Sequence, residues 1–518
     1  MPFDLKGFEH ADLTPARLSA LLDEHARTTR PALERLWAYY RNPGRTNARG
    51  VPTIAASSLA QAQGLPTRLR PTLGTQLTDD RSRGAEVVIE NDIAWRLDAM
   101  VDFVFGKPLT ILSAAEDPAL RPVIERVLDL VWENSGGVQL FQDTALLGGV
   151  YGFADLVVRT DALFEPGASW SDPIDAASRI RVELIEPTRA VPVLDPGDYR
   201  VLDAYAVRSL REDAAPNQHE DARPVPAASS FASRLAEWIA PRTTAPRTPA
   251  SLNAGAPPRH ASRPAPTEVI EVLSAERRRV FAGDRVLLDA ANPLGVIPVV
   301  HAQNASQPFA YAGVSDVEPL IPLQDELNTR LSDRAHRVTM QSFNMYLAKG
   351  LEGFGATGVG PGQVWSTDNP DASVQAFGGD ASAPSEQAHI EELRDAMDKA
   401  SGVSPVALGV IRAKLGHLSS ENALRITLNG VLSKTARKRV TYGRALASVC
   451  RLILLALDRA GALPTSESDR AVRLQWQDPL PLDERARLNA ALLKRDLGVP
   501  TAELLAELGY ARTDAGVT

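Results

Sequence analysis

Three long segments in the second half of the chain, each with apolar residues at helical spacing, constrain the fold most strongly. The first spans residues 315–340, the second residues 386–400, and the third, residues 420–460, is the longest. Gly-rich residues and a strand-like SVQAF piece separate the first two, which predicts two helices of opposite direction in a protruding hairpin. The apolar positions of this hairpin are Leu320, Leu323, Leu327, Leu331, Ala335, Val338, Ile390, Leu393, Met397 and Ala400.

Local signals predict the ends of these helices. Ser385 is a candidate N-cap for the second helix, and Gly402 is a candidate C-terminal stop. The third helix contains the pair Asn429-Gly430. Because a glycine inside a helix costs about 1 kcal/mol relative to alanine, we expect a kink there.

The first half of the chain combines shorter helices with strands, so an α+β fold is expected. Residues 41–85 are polar and predict an arm rather than a core, and the Pro-rich residues 211–266 predict a flexible insertion. Helices are predicted from Thr14 to Tyr40 with a division at Pro31, at 86–106, at 118–133, and at 140–147 before Gly148-Gly149. Strands are predicted at 151–160, 179–187, 200–209, 267–274, 277–281, 285–289 and 295–304.

Length and composition limit the class of protein. A chain of 518 residues is too long for one compact core, so several packed units are expected. The net charge of −8 argues against avid, non-specific coating of nucleic acid. The single cysteine, Cys450, excludes an intramolecular disulfide framework and predicts a small buried apolar side chain. The N-terminus lacks a secretory pattern and no apolar run approaches the ~20 residues that span a bilayer, so a soluble, intracellular product is expected.

Enzyme chemistry finds little support in the motifs. Residues 353–358, GFGATG, match the dinucleotide fingerprint literally, but no apolar strand enters them and no helix pattern follows. A nucleotide-binding oxidoreductase therefore remains only an alternative, and no P-loop is present. For the basic residues 434–439, contact with phosphate is one interpretation, but a solvated helix face or a surface for salt bridges between subunits is favoured, because the run is one short part of an acidic chain.

Three stretches of the chain resemble the portal proteins of tailed bacteriophages, in the branch typical of siphoviruses. The first stretch is the early helix that runs from Asn91 to Val104 and ends in Phe105-Gly106-Lys107-Pro108. The second runs from Ser315-Asp316 to Tyr346-Leu347. The third is the loop that leads to Ser419-Ser420 and the long basic helix behind it.

The resemblance implies the α+β portal fold and a division of the chain into the parts of a ring subunit. A mainly helical wing with a β-containing part would occupy residues 1–314, including the insertion 211–266. The remaining parts would be a stem helix (315–341), a clip (342–385), a second stem helix (386–401), a tunnel loop (402–418), a long kinked wing helix (419–459) and a helical C-terminal crown (460–518).

The resemblance also implies a homo-oligomer of about twelve chains at one capsid vertex of the virion, assembled in the host cytoplasm. Its channel would pass double-stranded DNA, and its partners would be the terminase large subunit, the major capsid protein and scaffold, and then the head-tail adaptor. No cofactor, metal, membrane contact or catalytic residue is implied. Another structural ring or tail-adaptor protein is the alternative.

Particular residues are assigned to these parts. In the tunnel loop, Arg412, Lys414 and His417 are candidates to touch passing phosphates, and contacts between loops are an equal alternative. We expect Leu327, Leu331 and Val338 to pack at or near subunit boundaries, because they share one face of a protruding helix. The other assigned residues are Leu320, Leu393 and Met397 in stem packing, Gly353, Gly355, Gly358 and Trp365 in the clip, and Asn91, Phe105, Gly106, Lys107 and Pro108 in the wing.

Overall fold

The computed structural model mixes helices with antiparallel sheets, which confirms the α+β class. It describes residues 3–8, 13–44, 55–69, 86–211, 267–283, 285–342, 345–350, 368–377, 383–409, 421–480 and 484–508. The Gly-rich residues 353–358, Ser419-Ser420 and, apart from Arg211 at the end of a strand, the predicted insertion lie outside these ranges.

The N-terminal helices form as predicted, but a π-helical turn rather than a break joins them. Helix α1 spans Pro15–Glu24, and its cap Thr14 accepts a hydrogen bond from the backbone N–H of Arg17. The π-helical residues His25–Thr29 then lead into α2, Arg30–Arg41. Pro31 lies in the first turn of α2, directly after the π-helical residues, so the proline falls where the regular α-helical hydrogen-bond pattern changes.

The next helices differ from their predicted bounds in two places. The helix predicted at 86–106 begins only at residue 92, and residues 86–91 are not helical. The helix predicted to end at Gly148-Gly149 continues through both glycines to residue 151. These elements are α3, Asp92–Phe105; β1, Thr110–Ser113; α4, Arg121–Asn134; α5, Val138–Tyr151; and α6, Pro173–Ala177.

The glycines inside α5 serve close packing instead of helix termination. A Cβ atom on Gly148 would lie 2.0 Å from the hydroxyl of Tyr442, and a Cβ on Gly149 would lie 3.4 Å from a carboxylate oxygen of Asp316. The backbone carbonyl of Gly149 also accepts the N–H of Asp316 at 2.8 Å. Glycine is therefore required at 148 because another helix comes too near for a side chain.

Two antiparallel sheets carry the strands of the first half. The three-stranded sheet has the order β3-β2-β9, and the five-stranded sheet has the order β4-β5-β6-β7-β8. Strand β4 was not predicted, because Pro192 interrupts its apolar run. The strands are β2, Phe153–Arg159; β3, Arg181–Ile185; β4, Ala190–Leu194; β5, Leu202–Arg211; β6, Thr267–Leu273; β7, Arg277–Ala282; β8, Arg285–Ala291; and β9, Val299–Gln303.

The predicted hairpin is present. Helix α7, Ile321–Ser342, is followed by the antiparallel pair β10, Met345–Lys349, and β11, Ser373–Phe377, and then by α8, Pro384–Ser401. Helix α8 starts one residue before Ser385, so Ser385 is not its N-cap as predicted. Gly402 ends α8 in the left-handed region at φ 71°, as predicted.

The predicted long helix is interrupted where a kink was expected. Helix α9, Glu421–Thr427, and helix α10, Asn429–Arg459, meet at Leu428, whose backbone leaves the helical region at φ −91° and ψ 7°. Strand β12, Val472–Gln475, then pairs with β1. Two short helices follow, α11, Glu484–Asp496, and α12, Thr501–Leu508.

Helix α10 forms the centre of the largest hydrophobic cluster. By length and composition it could cross a membrane, but half of its most apolar window is buried inside the protein. Burial in this cluster raises the pKa of the Cys450 thiol to about 12, which confirms the predicted apolar role. The fully buried side chains of α10 include Val449, Cys450, Ile453, Leu454 and Leu457.

Gly152 provides a test of the close packing between β2 and the loop after β9. It has φ +92°, and a Cβ would lie 2.4 Å from the carbonyl oxygen of Gly313. Gly461 has a similar φ of +71° with nothing within 4 Å. Gly461→Ala should therefore cost only the backbone strain of about 1–2 kcal/mol. Gly152→Ala should cost a further ~1–3 kcal/mol in urea denaturation, because the carbonyl must move. Equal losses would contradict this packing.

Candidate functional site at the base of the helical hairpin

The base of the hairpin is lined by polar side chains that are buried from water. Buried charges are costly unless they are paired, so each of these groups needs an identifiable partner. They come from α3, α7, α8, α10 and the segments that lead into them, which are far apart in sequence. The group comprises Asp92, Arg96, Asn304, Ser315, Asp316, Gln324, Asn328, Ser332, Ser401 and Lys438.

Asp316 is the centre of this group. Its two carboxylate oxygens accept Lys434 Nζ at 2.8 Å and Lys438 Nζ at 2.5 Å. The Asn304 side-chain amide donates to the same carboxylate at 3.1 Å. Asn304 Oδ1 in turn accepts Lys438 Nζ and, at 2.9 Å, the hydroxyl of Tyr442. We call Asp316, Lys434, Lys438 and Asn304 the junction cluster.

The electrostatics of the junction cluster favour a charged carboxylate. Burial alone would raise the pKa of Asp316, but the two ammonium groups outweigh it and lower that pKa to about 2. Burial lowers the pKa of Lys438, and the attraction of Asp316 opposes this effect only in part. One carboxylate is therefore shared between two cations in a medium where their interaction is poorly screened.

The junction cluster joins both ends of the hairpin to α10. Asp316 lies five residues before α7, and Ser401 is the last residue of α8. Lys434 Nζ donates to the backbone carbonyl of Ser401 at 2.7 Å while it also pairs with Asp316. Lys434 and Lys438 reach the same partner because residues four apart share one face of a helix.

Ser315 fixes the backbone that presents Asp316. Its hydroxyl donates to the carbonyl of Val150 at 2.6 Å and accepts the N–H of Val317 at 3.0 Å. The polypeptide is therefore anchored on α5 immediately before it enters the hairpin.

A second buried ion pair holds α8 on α3. The guanidinium of Arg96 is 2% exposed, donates to Asp398 Oδ1 at 2.6 Å and lies 3.2 Å from Asp92 Oδ2. It also lies over the ring of Trp95 at 4.2 Å. This arrangement fixes α8 one turn before its end.

Side chains of α7 accept hydrogen bonds from the backbone of the residues that precede α3. Gln324, Asn328 and Ser332 repeat every fourth residue, and their side-chain oxygens accept the backbone N–H groups of Asp92, Glu90 and Val88 at 2.9–3.0 Å. These bonds explain why residues 86–91 are not helical, although their apolar spacing predicts a helix.

Part of the predicted arm belongs to this base. Gln61 is fully buried, and its side chain donates to the carbonyl of Tyr39 at 2.7 Å and to Asn91 Oδ1 at 2.9 Å. It also accepts from Asn328 at 3.1 Å. Leu65 is fully buried as well, so the expectation of an arm is wrong for residues 61–69.

The predicted wing residues have structural roles. Asn91 caps α3 by accepting the N–H of Ala94, and it also donates to the carbonyl of Tyr40. Phe105 packs against the ring of Trp476, with ring centroids 5.2 Å apart. At the end of the same stretch, Gly106 terminates α3 before Lys107-Pro108.

Lys107 ties the end of α3 to a distant part of the chain. Its ammonium group donates to the backbone carbonyls of Leu480, at 2.8 Å, and of Asp478. Lys107 belongs to the first of the three stretches that resemble portal proteins, and this stretch therefore holds residues 478–480 beside β12.

The predicted stem residues divide into core and surface. Leu320, Leu327, Met397 and, at 8% exposure, Leu393 are buried, whereas Leu331 is half-buried. Leu327 is fully buried within its own chain, which leaves no exposed surface on it for direct contact with a neighbouring subunit. Val338 is 38% exposed, and its packing at or near a subunit boundary stays a prediction.

Other predicted site residues lie outside the described residues. These are Arg412, Lys414 and His417 of the tunnel loop and Gly353, Gly355, Gly358 and Trp365 of the clip.

The basic run at 434–439 is not simply a solvated face. Lys434 and Lys438 belong to the junction cluster, and Arg439 donates to the carbonyls of Phe103 and Gln477. The i, i+4 spacing of the two lysines was the available signal, but nothing in the sequence marked Asp316 as their common partner.

Comparison with known proteins confirms the predicted resemblance over part of the chain. Residues 289–510 match the family described as phage portal protein, SPP1 Gp6-like, a family of structural proteins and not of enzymes. The match covers the hairpin, α10 and the C-terminal helices. No curated protein matches the sequence.

Two solved structures were compared as whole chains. One is described as the neck of an empty GTA particle computed with C6 symmetry; it is 14% identical, with 82% of this chain and 91% of that chain covered and a TM-score of 0.41. The other is described as the virion of a native gene transfer agent (GTA) particle; it is 11% identical, with 81% and 89% covered and a TM-score of 0.37.

The junction cluster leads to a stability prediction. Asp316→Asn leaves the buried Lys438 and the half-buried Lys434 without their anion, so it should lower the free energy of unfolding by about 3–5 kcal/mol in urea denaturation. Glu467→Gln is the matched control, because it removes the acid of an exposed pair with Arg451 and should have little effect. Adding Lys438→Met to Asp316→Asn should recover part of the loss.

The same comparison across pH tests the charge of Asp316. Its pKa is lowered from 3.8 to about 2, so its contribution to stability is complete above about pH 4 and is lost as the pH falls toward 2. The stability difference between the wild type and Asp316→Asn should therefore shrink across that interval. A difference independent of pH from 6 to 2 would contradict an ionised Asp316.

Proposed function

We propose that this chain is the subunit of a phage portal, a ring of about twelve copies at one capsid vertex. The observation that supports the proposal best is the portal-family match over residues 289–510, which includes the hairpin and the junction cluster. The ring serves as the channel for packaging and ejection of the genome. It binds the terminase motor first and the head-tail adaptor later.

The parts of the subunit follow the predicted division. In this proposal α7 and α8 form the stem, and residues 342–385 form the clip that faces the motor and then the adaptor. Residues 1–314 with α10 form the wing, which meets the major capsid protein and scaffold. Residues 402–418 narrow the channel, and residues 460–518 form the crown, although β12 pairs with β1 of the wing.

In this proposal the channel lets duplex DNA pass without binding it tightly and without catalysing a reaction. A protein that bound many phosphates would hold DNA in place, because each neutralised phosphate adds to the affinity. Each chain carries a net charge of −8, so a ring of them disfavours static adhesion to duplex DNA. Arg412, Lys414 and His417 would supply few and local contacts to the passing duplex.

A fixed hairpin is what such a channel requires. The junction cluster anchors the entry to α7 on Lys434 and Lys438 and the end of α8 on Lys434, and the Arg96–Asp398 pair holds α8 on α3. The stem can therefore keep one orientation relative to the wing while DNA moves past it.

The role of the tunnel loop provides the functional test. Val403 is buried in the core and residues 405–408 form a 3₁₀ turn, so a replacement should begin after Gly409. Replacing residues 410–418 by a Gly-Ser linker of the same length should leave the number of subunits in the ring unchanged, as counted by native mass spectrometry. Particles assembled with this variant should retain shortened genomes, as measured by the length of packaged DNA.

Two outcomes would contradict the proposal. Rings of this variant that package DNA of full length would exclude a channel role for the loop. Wild-type chains that form no ring would contradict the portal function as a whole.

A further inference from the structure

Helix α10 carries a strong excess of positive charge in an otherwise acidic chain. Its sequence contains seven Lys and Arg residues, and Asp458, near its end, is its only acid. Three of the cations, Lys434, Lys438 and Arg439, face inward and have partners within the chain. The helix therefore satisfies its inner charges locally.

The outer face of α10 is basic and partly apolar. Arg437 and Arg444 are exposed, and no acidic partner is found for either among the described residues. Val440, which lies between them on the same face, is 62% exposed. The two arginines are two helical turns apart, or about 10 Å along the axis. We call Arg437, Val440 and Arg444 the basic face.

Helix α8 has the opposite excess. Its sequence contains five Asp and Glu residues against two cations. Glu386 pairs with Arg337 and Asp398 with Arg96, so these two acids are matched within the chain.

The remaining acids of α8 form one exposed surface. Glu391, Glu392 and Asp395 are exposed within little more than one turn; we call them the acidic face. Its neighbours on α8 are His389, 3.8 Å from Glu392, and Lys399, one turn beyond Asp395. Arg394 pairs with Glu90, so the three carboxylates outnumber Lys399 and the surface keeps a net negative charge.

We propose that the basic face of one copy docks on the acidic face of the next copy. The inference rests on the proposed ring, because a head-to-tail contact between identical chains needs two different and complementary surfaces on each chain. Among the described residues, no ion pair joins the two faces within one chain. Opposite charges of this kind set the register and orientation of an interface more than its affinity.

A second copy fits the basic face better than DNA does. Two arginines on an acidic chain provide few phosphate contacts, and a phosphate backbone would leave Val440 exposed to water. A helix with carboxylates on one face can pair both arginines and cover the valine between them. Arginine is also well suited to such contacts, because its planar group can pair with a carboxylate through two hydrogen bonds.

Charge reversal tests the contact directly. The first variant carries Arg437→Glu and Arg444→Glu, and the second carries Glu391→Arg and Asp395→Arg. Each should lower the ring population at least tenfold in native mass spectrometry, because like charges then face each other at every subunit boundary. A control with Arg459→Glu and Arg473→Glu changes the net charge as the first variant does, through exposed arginines outside the basic face. It should form rings normally.

Mixing the two reversed variants provides the decisive result. In a mixed ring, each reversed surface can meet a reversed surface of the neighbour, so equimolar mixing should restore rings of alternating chains. Restoration would also show that both variants are folded. The loss of rings in the separate variants should become smaller as salt is raised, because the repulsion is screened.

Three results would overturn the inference. Either variant alone could form rings at the wild-type level, or the mixture could fail to restore rings. The first variant could also form normal rings but package less DNA, which would assign the basic face to DNA. A wild type that forms no ring contradicts the proposed function itself, and this inference with it.

Discussion

The carboxylate of Asp316, shared by two lysines of α10, is the interaction on which the rest of the structure depends. Removing three charges from water is expensive, and their attraction repays this cost only when the geometry and the remaining hydrogen bonds are satisfied. Asn304 and the carbonyl of Ser401 supply those bonds. The cluster therefore selects one arrangement of the chain, in which the loop after β9, both ends of the hairpin and the long helix meet at one point.

Contacts around the junction cluster explain how the projecting hairpin keeps one orientation relative to the rest of the chain. Apolar packing of Leu320, Leu327 and Met397 contributes burial but little directionality. The Arg96–Asp398 pair and the side chains of Gln324, Asn328 and Ser332 add specific partners, and they bind the residues before α3 along α7. The proposed role in a DNA channel needs such a base, since a loosely held stem could not keep a constant opening.

The sequence predicts the parts of this structure that follow one chemical pattern. The apolar repeats of α7, α8 and α10 identify the helices, and Gly402 and the neighbourhood of Asn429-Gly430 mark an end and an interruption. It does not reveal features that depend on a distant partner. The two glycines of α5 permit close approach of neighbouring parts of the chain, and residues 86–91 are not helical because side chains of α7 satisfy backbone N–H groups there. The partners of the charged site are likewise separated by more than a hundred residues, so spacing alone cannot join Asp316 to Lys438.

Cryo-electron microscopy of the purified full-length chain tests the central claim most directly. That claim is that identical chains, each with its hairpin fixed at the junction cluster, close around a hole through which duplex DNA can pass. The account predicts closed rings in which every chain presents its hairpin in the same orientation around an open centre. Single chains, or particles with a filled centre, would contradict it.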